Sequence, residues 1–245
     1  MCLERVQKVL SRRGYGSRRM IEQLIIAKKI ILNKKIVVLG DKINIYKKNQ
    51  FIIDSIKVTI QNEKIQKKML LYHKPIGEIS THYDPFHKNT VFKNLPVIKK
   101  NRWLYIGRLD INTSGLLLFT NCGIIANYAM HPKNLIKRVY LVRFFGTLNN
   151  NKISLLKNGI QLEKDFIAFK EIKLHNHNKT NKWLKITLYE GKNREIRKLL
   201  NYLNIQVSRI IRIKYGDVKL PFFLKPKKWV YLNYKKINFL KKIVN

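Results

Sequence analysis

The stretch Gly107-Arg-Leu-Asp-Ile-Asn-Thr-Ser-Gly-Leu-Leu-Leu-Phe-Thr-Asn121 constrains this chain more than any other. Leu116 to Phe119 is an unbroken apolar run with turn residues on both sides, which reads as a strand buried inside a sheet. Trp103 to Ile106 reads as the strand before it. Alternation along an extended chain then sets Arg108 and Asp110 on one side and Leu109 on the other. A carboxylate at the end of an apolar segment stands out where 14 acidic residues face 51 basic ones. Taken as a loop alone, Asp110 reads slightly better as a turn-forming or capping aspartate.

The formal net charge of +37 on 245 residues makes a polyanion, RNA or DNA, the leading class of partner. A Lys-, Ile- and Asn-rich composition of the kind an AT-rich genome produces accounts for part of the lysine surplus, so the arginines carry more information. An anionic membrane surface is a poorer match, because no long basic amphipathic helix is evident. No run reaches transmembrane length, and the opening residues lack a signal-peptide core, so a cytoplasmic location is expected. Cys2 and Cys122 are the only thiols and lie far apart, which suits neither a disulfide framework nor a cysteine-based zinc site. The six histidines show no ligand spacing, and no phosphate-loop or dinucleotide pattern is present, so neither a metal nor a cofactor is expected.

In the first sixty residues Val6, Val9 and Leu10 share a helical face, and Gly14-Tyr15-Gly16 ends that helix. Ser17 suits the N-cap of a second helix that carries Ile21, Leu24 and Ile25 inward. Ile30–Leu32, Asn33-Lys34 and Ile36–Val38 read as strand, turn and strand. Arg12, Arg13, Arg18 and Arg19 bunch around the turn between the helices, where guanidiniums could fork onto phosphates or simply be solvated. Residues 61–68, with little apolar content and no periodicity, read as a linker.

Beyond it, further strand signals fall at 69–72, 103–107, 115–120, 139–145, 184–190 and 207–213. A helix is expected from Ile124 to Met130. A second, with Ile196, Leu199, Leu200 and Leu203 inward, follows the break at Gly191. Ser80 to Pro85 reads as a polar loop.

Two resemblances join these pieces. Arg-Arg-Gly-Tyr-Gly-Ser-Arg-Arg with Ile31-Leu-Asn-Lys-Lys is similar to a small S4-type RNA-binding domain, over about residues 3–50. The stretch 107–121 resembles the active-site motif of pseudouridine synthases that act on ribosomal RNA. The Lys74-Pro-x-Gly77 element, Arg138-Val-Tyr140, Asn193-Arg-Glu-Ile-Arg197 and Val207-Ser-Arg-Ile-Ile-Arg-Ile213 extend that resemblance over about 69–232, the last two toward its large-subunit branch.

The resemblance implies Asp110 as the catalytic carboxylate and Tyr140 against the target base. It places Arg197 beside Asp110 and Arg108 in the space an extruded uridine leaves, with Lys192 and Arg194 on phosphates. It also implies isomerisation of a uridine without metal or redox chemistry, with large-subunit ribosomal RNA as partner. The expected architecture is α+β: an RNA-binding domain at 1–60, the linker at 61–68, and a catalytic domain at 69–245 built on a mixed, mainly antiparallel sheet flanked by helices. A monomer is the default expectation.

Overall fold

In the computed structural model the chain divides into two compact units. One comprises Met1–Lys67 with Val97–Trp103, the other Lys68–Pro96 with Leu104–Asn245. The structure describes residues 3–61, 66–82, 84–86, 89–98, 101–162, 165–178, 181–192 and 194–244. Residues 62–65 of the 61–68 stretch, together with Cys2, Tyr83, His87 and Asn193, lie outside the described residues. Among the described residues no helix is long and apolar enough to cross a membrane.

The first unit runs β1 (Leu3–Arg5), α1 (Val6–Arg12), α2 (Arg18–Ile26), β2 (Ile30–Leu32), β3 (Lys35–Ile36), β4 (Lys42–Asn44), β5 (Asn49–Ile53) and β6 (Ile56–Ile60). Strands β3-β2-β5-β6 form one sheet, and β1 pairs with β4. The amide of Met20 donates to Ser17 Oγ at 3.1 Å, so Ser17 caps α2 as its sequence suggests. Val6, Val9, Leu10, Ile21 and Ile25 are buried in one core with Ile30, Phe51 and Ile53.

The strand expected at Ile36–Val38 is shorter and begins earlier. The amide of Val38 donates instead to Asp41 Oδ2 at 2.9 Å, drawing it into the turn that follows. The catalytic domain expected at 69–245 is also interrupted. Val97–Trp103 groups with the first unit, where Arg102 donates to Gly16 O (3.1 Å) and Ser11 Oγ (2.7 Å).

The second unit is built on a nine-stranded sheet. Its strands are β7 (Met69–Lys74), β8 (Leu104–Ile106), β9 (Thr113–Thr120), β10 (Arg138–Phe145), β13 (Glu171–Asn178), β14 (Asn181–Leu188), β15 (Gln206–Tyr215), β16 (Val218–Lys219) and β17 (Trp229–Tyr231). The main path is β13-β14-β10-β15-β9-β7-β17. Among the described residues only the β15–β9 pairing in this sheet is parallel, so the sheet is mixed and mainly antiparallel. A small hairpin, β11 (Ile160–Leu162) with β12 (Asp165–Ile167), lies apart from it. The helices are α3 (Gly123–Met130), α4 (Asn150–Asn158), α5 (Glu195–Tyr202) and the short α6 (Lys241–Val244).

Strand β9 is central and buried along its whole length, which accounts for the unbroken apolar run that marks it in the sequence. Its parallel contact with β15 requires Gly115. A Cβ there would stand 2.3 Å from the carbonyl oxygen of Arg212, and φ is +107°. This contact joins the strand after the Asp110 loop to the strand that carries Arg212.

Candidate active site

The loop from Leu109 to Thr113 is held through its backbone. Five successive carbonyls each accept a hydrogen bond. Leu109 O takes one from Ser80 Oγ (3.0 Å), whose oxygen in turn accepts from the Leu109 amide (3.3 Å). Lys74 Nζ donates to the carbonyls of Asp110 (3.1 Å) and Thr113 (2.8 Å), lies 3.5 Å from that of Ile111, and also reaches Pro75 O (2.9 Å). The amide of Gly77 donates to Ile111 O at 2.9 Å. Arg197 Nη2 donates to Asn112 O at 3.0 Å.

The Asp110 side chain is exposed and makes no hydrogen bond or ion pair among the described residues. The backbone is thus fixed while the carboxylate stays available to a bound molecule, which is the arrangement a reacting group needs.

Lys74 ends β7 and is fully buried. Burial pulls its ammonium down to about 8, and Arg212 adds to that, while Glu78 and Asp110 favour the proton. Glu78 belongs to a buried network. It accepts from Tyr72 Oη at 2.7 Å and from Asn94 Nδ2 at 2.9 Å.

The loop edges a cleft of about 590 Å³. Arg138 and Tyr140 of β10 and Ile210 and Arg212 of β15 line it, with Arg194, Glu195 and Ile196 at the start of α5 and Ser80 and Thr81 from the polar loop. A register shift between Val139 and Tyr140 sets Tyr140 directly opposite Arg212, so both can face the same side. Arg138 and Arg212 each place a guanidinium 5.3 Å from the centre of the Tyr215 ring. Arg212 is buried, and its Nε donates to Leu116 O at 2.8 Å. Its Nη2 is buried without a partner among the described residues.

Five cations, Arg108, Arg138, Lys192, Arg194 and Arg212, and two carboxylates, Asp110 and Glu195, line the cleft. That balance suits a polyanion. Glu195 is buried, and burial raises its carboxyl to about 7, against the lowering effect of the Lys192 backbone amide and of Arg138. Among the described residues no three His, Cys, Asp or Glu side chains gather as a metal site would need.

The expected residues are distributed unequally. Asp110, Arg108, Tyr140, Lys192 and Arg194 come together at the cleft. Arg197 does not line it and makes no ion pair with Asp110. Its two terminal nitrogens bond Asn112 O and Val207 O, both at 3.0 Å, so it anchors the loop backbone. Burial and Arg194 lower its pKa, with Asp110 opposing. Lys192 Nζ donates to Phe166 O at 2.7 Å and pairs with Glu190 Oε2 at 3.5 Å.

In the first unit Arg12 bonds both carboxylate oxygens of Glu4, at 3.0 and 3.1 Å, and Arg13 donates to Gln61 O at 2.6 Å. Arg18 and Arg19 are exposed. The sequence patterns assign no role to Lys74, Glu195 or Arg212, and the resemblance puts Ser80 only in a polar loop near bound RNA. The Lys-Pro-x-Gly spacing marked Lys74, but nothing in a single sequence distinguishes a lysine that binds carbonyls from a solvated one.

Comparison with known proteins agrees with this architecture. A family model described as RNA pseudouridylate synthase matches residues 68–202, and an S4 domain model matches 4–44. The chain belongs to the RNA pseudouridylate synthase family. It is 44% identical over 250 residues to the ribosomal large subunit pseudouridine synthase B of Buchnera aphidicola subsp. Schizaphis graminum, covering 98% of this chain and 97% of that protein. It is 41% identical over 242 residues to the protein of that name from Yersinia pestis, covering 98% and 76%. A crystal structure of a pseudouridylate synthase superposes with a TM-score of 0.66 at 22% identity, covering 96% of this chain and 99% of that one, a likeness of fold.

Proposed function

We propose that this chain converts a uridine of large-subunit ribosomal RNA to pseudouridine in the cleft beside Asp110. The observation that carries the reading is the Asp110 loop, held at five successive carbonyls while its carboxylate faces the cleft unpaired among the described residues. The large-subunit relatives give the substrate class.

In the reaction the bond from uracil N1 to the ribose C1′ breaks, the base turns, and C5 bonds to C1′. The C5 proton leaves and N1 gains one, so no redox change occurs. Asp110 is the reacting carboxylate, whether it attacks the sugar or the base or takes a proton from the sugar. Tyr140 lies against the uracil, and Arg212 Nη2 is available to a uracil carbonyl. Arg108 fills the space the nucleotide leaves, which is easiest to open where the uridine is already unpaired. Arg197 and Lys74 act through the loop they hold. Arg194 meets phosphate, and Arg18 and Arg19 of the first unit bind structured RNA. The chain works as a monomer in the cytoplasm, without metal or cofactor.

The test is tritium release from large-subunit ribosomal RNA labelled at uridine C5. Release by wild type and none by Asp110→Ala, at equal RNA binding, is expected. Release by both at one rate removes Asp110 from the chemistry.

A further inference from the structure

A second feature of the catalytic unit lies outside the cleft. Between β16 and β17 the chain makes two consecutive turns. Pro221–Leu224 is closed by the Leu224 amide on Pro221 O at 3.2 Å, and Lys225–Lys228 by the Lys228 amide on Lys225 O at 3.2 Å. Leu224 is buried and anchors the first turn. Its two central residues, Phe222 and Phe223, are 107% and 76% exposed, although phenylalanine is ordinarily among the most buried of side chains.

The second turn has Pro226 followed by Lys227 at φ +66°, a left-handed position that favours glycine. Lys219, Lys225, Lys227 and Lys228, which flank the two aromatics in sequence, are all exposed. From residue 216 onward the only acidic side chain in the sequence is that of Asp217, which accepts the amide of Asn238 at 3.0 Å. The loop is fixed to the sheet at His73. The His73 ring Nδ1 lies 2.7 Å from Leu224 O, and the His73 backbone pairs with Lys227 and Lys228. The next residue, Lys74, holds the Asp110 loop.

We infer that Phe222 and Phe223, framed by these four lysines, form a stacking platform for unpaired bases of the RNA substrate. Exposed rings offer flat faces to any base, and the lysines offer charge to the backbone on either side of it. A second copy of this chain is a poor occupant, since both surfaces would carry the same positive charge. The attachment to the strand that positions the active loop favours RNA over an anionic membrane. The inference rests on the proposed RNA-modifying function and extends it to how the substrate is gripped.

The experiment uses the full chain, a 20-nucleotide single-stranded oligouridylate and an RNA duplex of equal length. The Phe222→Ala/Phe223→Ala variant is expected to bind the oligouridylate at least about tenfold more weakly, with duplex affinity and melting temperature unchanged. Phe222→Trp/Phe223→Trp is expected to retain binding, and Phe222→Leu/Phe223→Leu to behave like the alanine pair, since leucine keeps apolar area but has no ring face. Unchanged oligouridylate affinity in the alanine pair overturns the platform. So does full retention by the leucine pair, or Phe-dependent binding to phosphatidylglycerol vesicles without any effect on RNA. Tritium release by wild type is scored separately. Its absence refutes the proposed function, whereas unchanged binding in the variants refutes only the platform.

Discussion

Both units are rich in cations but use them differently. In the catalytic unit Lys74 and Arg212 are buried and Arg197 partly so, and all three donate to backbone carbonyls. In the first unit Arg12, Arg13 and Arg102 are also bound within the protein, while Arg18 and Arg19 stand exposed with no partner among the described residues. A formal charge of +37 therefore overstates the capacity to grip phosphate. A guanidinium whose donors already hold a protein oxygen still adds long-range attraction but has fewer donors left to fork onto RNA. The buried cations shape a site, and the exposed ones are left to bind.

The strongest challenge to this division is Asp110→Asn. It keeps the loop's backbone bonds and removes only the charge and nucleophilicity of the side chain. Turnover is expected to fall below detection in the tritium assay while RNA affinity changes by about twofold or less. A variant that also lost affinity would show that the carboxylate helps build the cleft. Lys74→Met is expected to come next. It leaves the Thr113 carbonyl without its buried lysine donor, and an unsatisfied buried group costs about 1–3 kcal/mol. Thermal unfolding should shift down and kcat should fall with it. A normal melting temperature with full activity would mean the loop is held well enough by Ser80, Gly77 and Arg197.

Much of this was legible in the sequence where one residue pattern has one physical outcome. The run Leu116–Phe119 reads as a buried strand and is one, whereas Thr113-Ser-Gly115, which reads as a turn, already belongs to that strand, where only glycine fits the contact with Arg212. The inward faces of α1 and α5 followed from spacing alone. What sequence could not give was the destination of long polar side chains. Arg197 sends its terminal nitrogens to Asn112 O and Val207 O, partners that helix spacing does not reveal. Arg12 and Arg13 looked like part of a free cluster until Glu4 and Gln61 were folded against them. The excursion of Val97–Trp103 to the first unit depends on Arg102 meeting Gly16 and Ser11, more than eighty residues away. Such pairings are set by tertiary placement, which periodicity does not encode.

The first unit offers a smaller and more selective effect. Arg18→Ala/Arg19→Ala should weaken RNA binding and flatten its salt dependence by about one to two phosphate contacts, with the melting temperature unchanged. Arg12→Ala should do the reverse. It should lower stability by about 1 kcal/mol through loss of the partly buried pair with Glu4, and leave the salt slope alone. Equal salt slopes for the two variants would erase the distinction between held and free arginines.

The smallest expected effect on RNA binding concerns Glu195, a buried carboxyl in a cleft lined with cations. Burial raises it to about 7, and this outweighs the backbone amide of Lys192 and the charge of Arg138, which both favour ionisation. A carboxyl whose folded pKa lies above its unfolded value of 4.5 contributes stability in full at low pH and loses it as pH rises through about 7. Wild type should therefore lose up to about 3 kcal/mol of stability between pH 4.5 and 8 from this group alone. Glu195→Gln, which keeps the shape without the charge, should match wild type near pH 5 and exceed it at pH 8. RNA affinity should follow the same sign, because an ionised Glu195 repels phosphate while a neutral one does not. The variant's affinity should thus fall by a few-fold less than that of wild type from pH 6 to 8. Parallel pH profiles for the two proteins would show that Glu195 is already ionised at neutral pH and that the cleft's cations prevail over its burial.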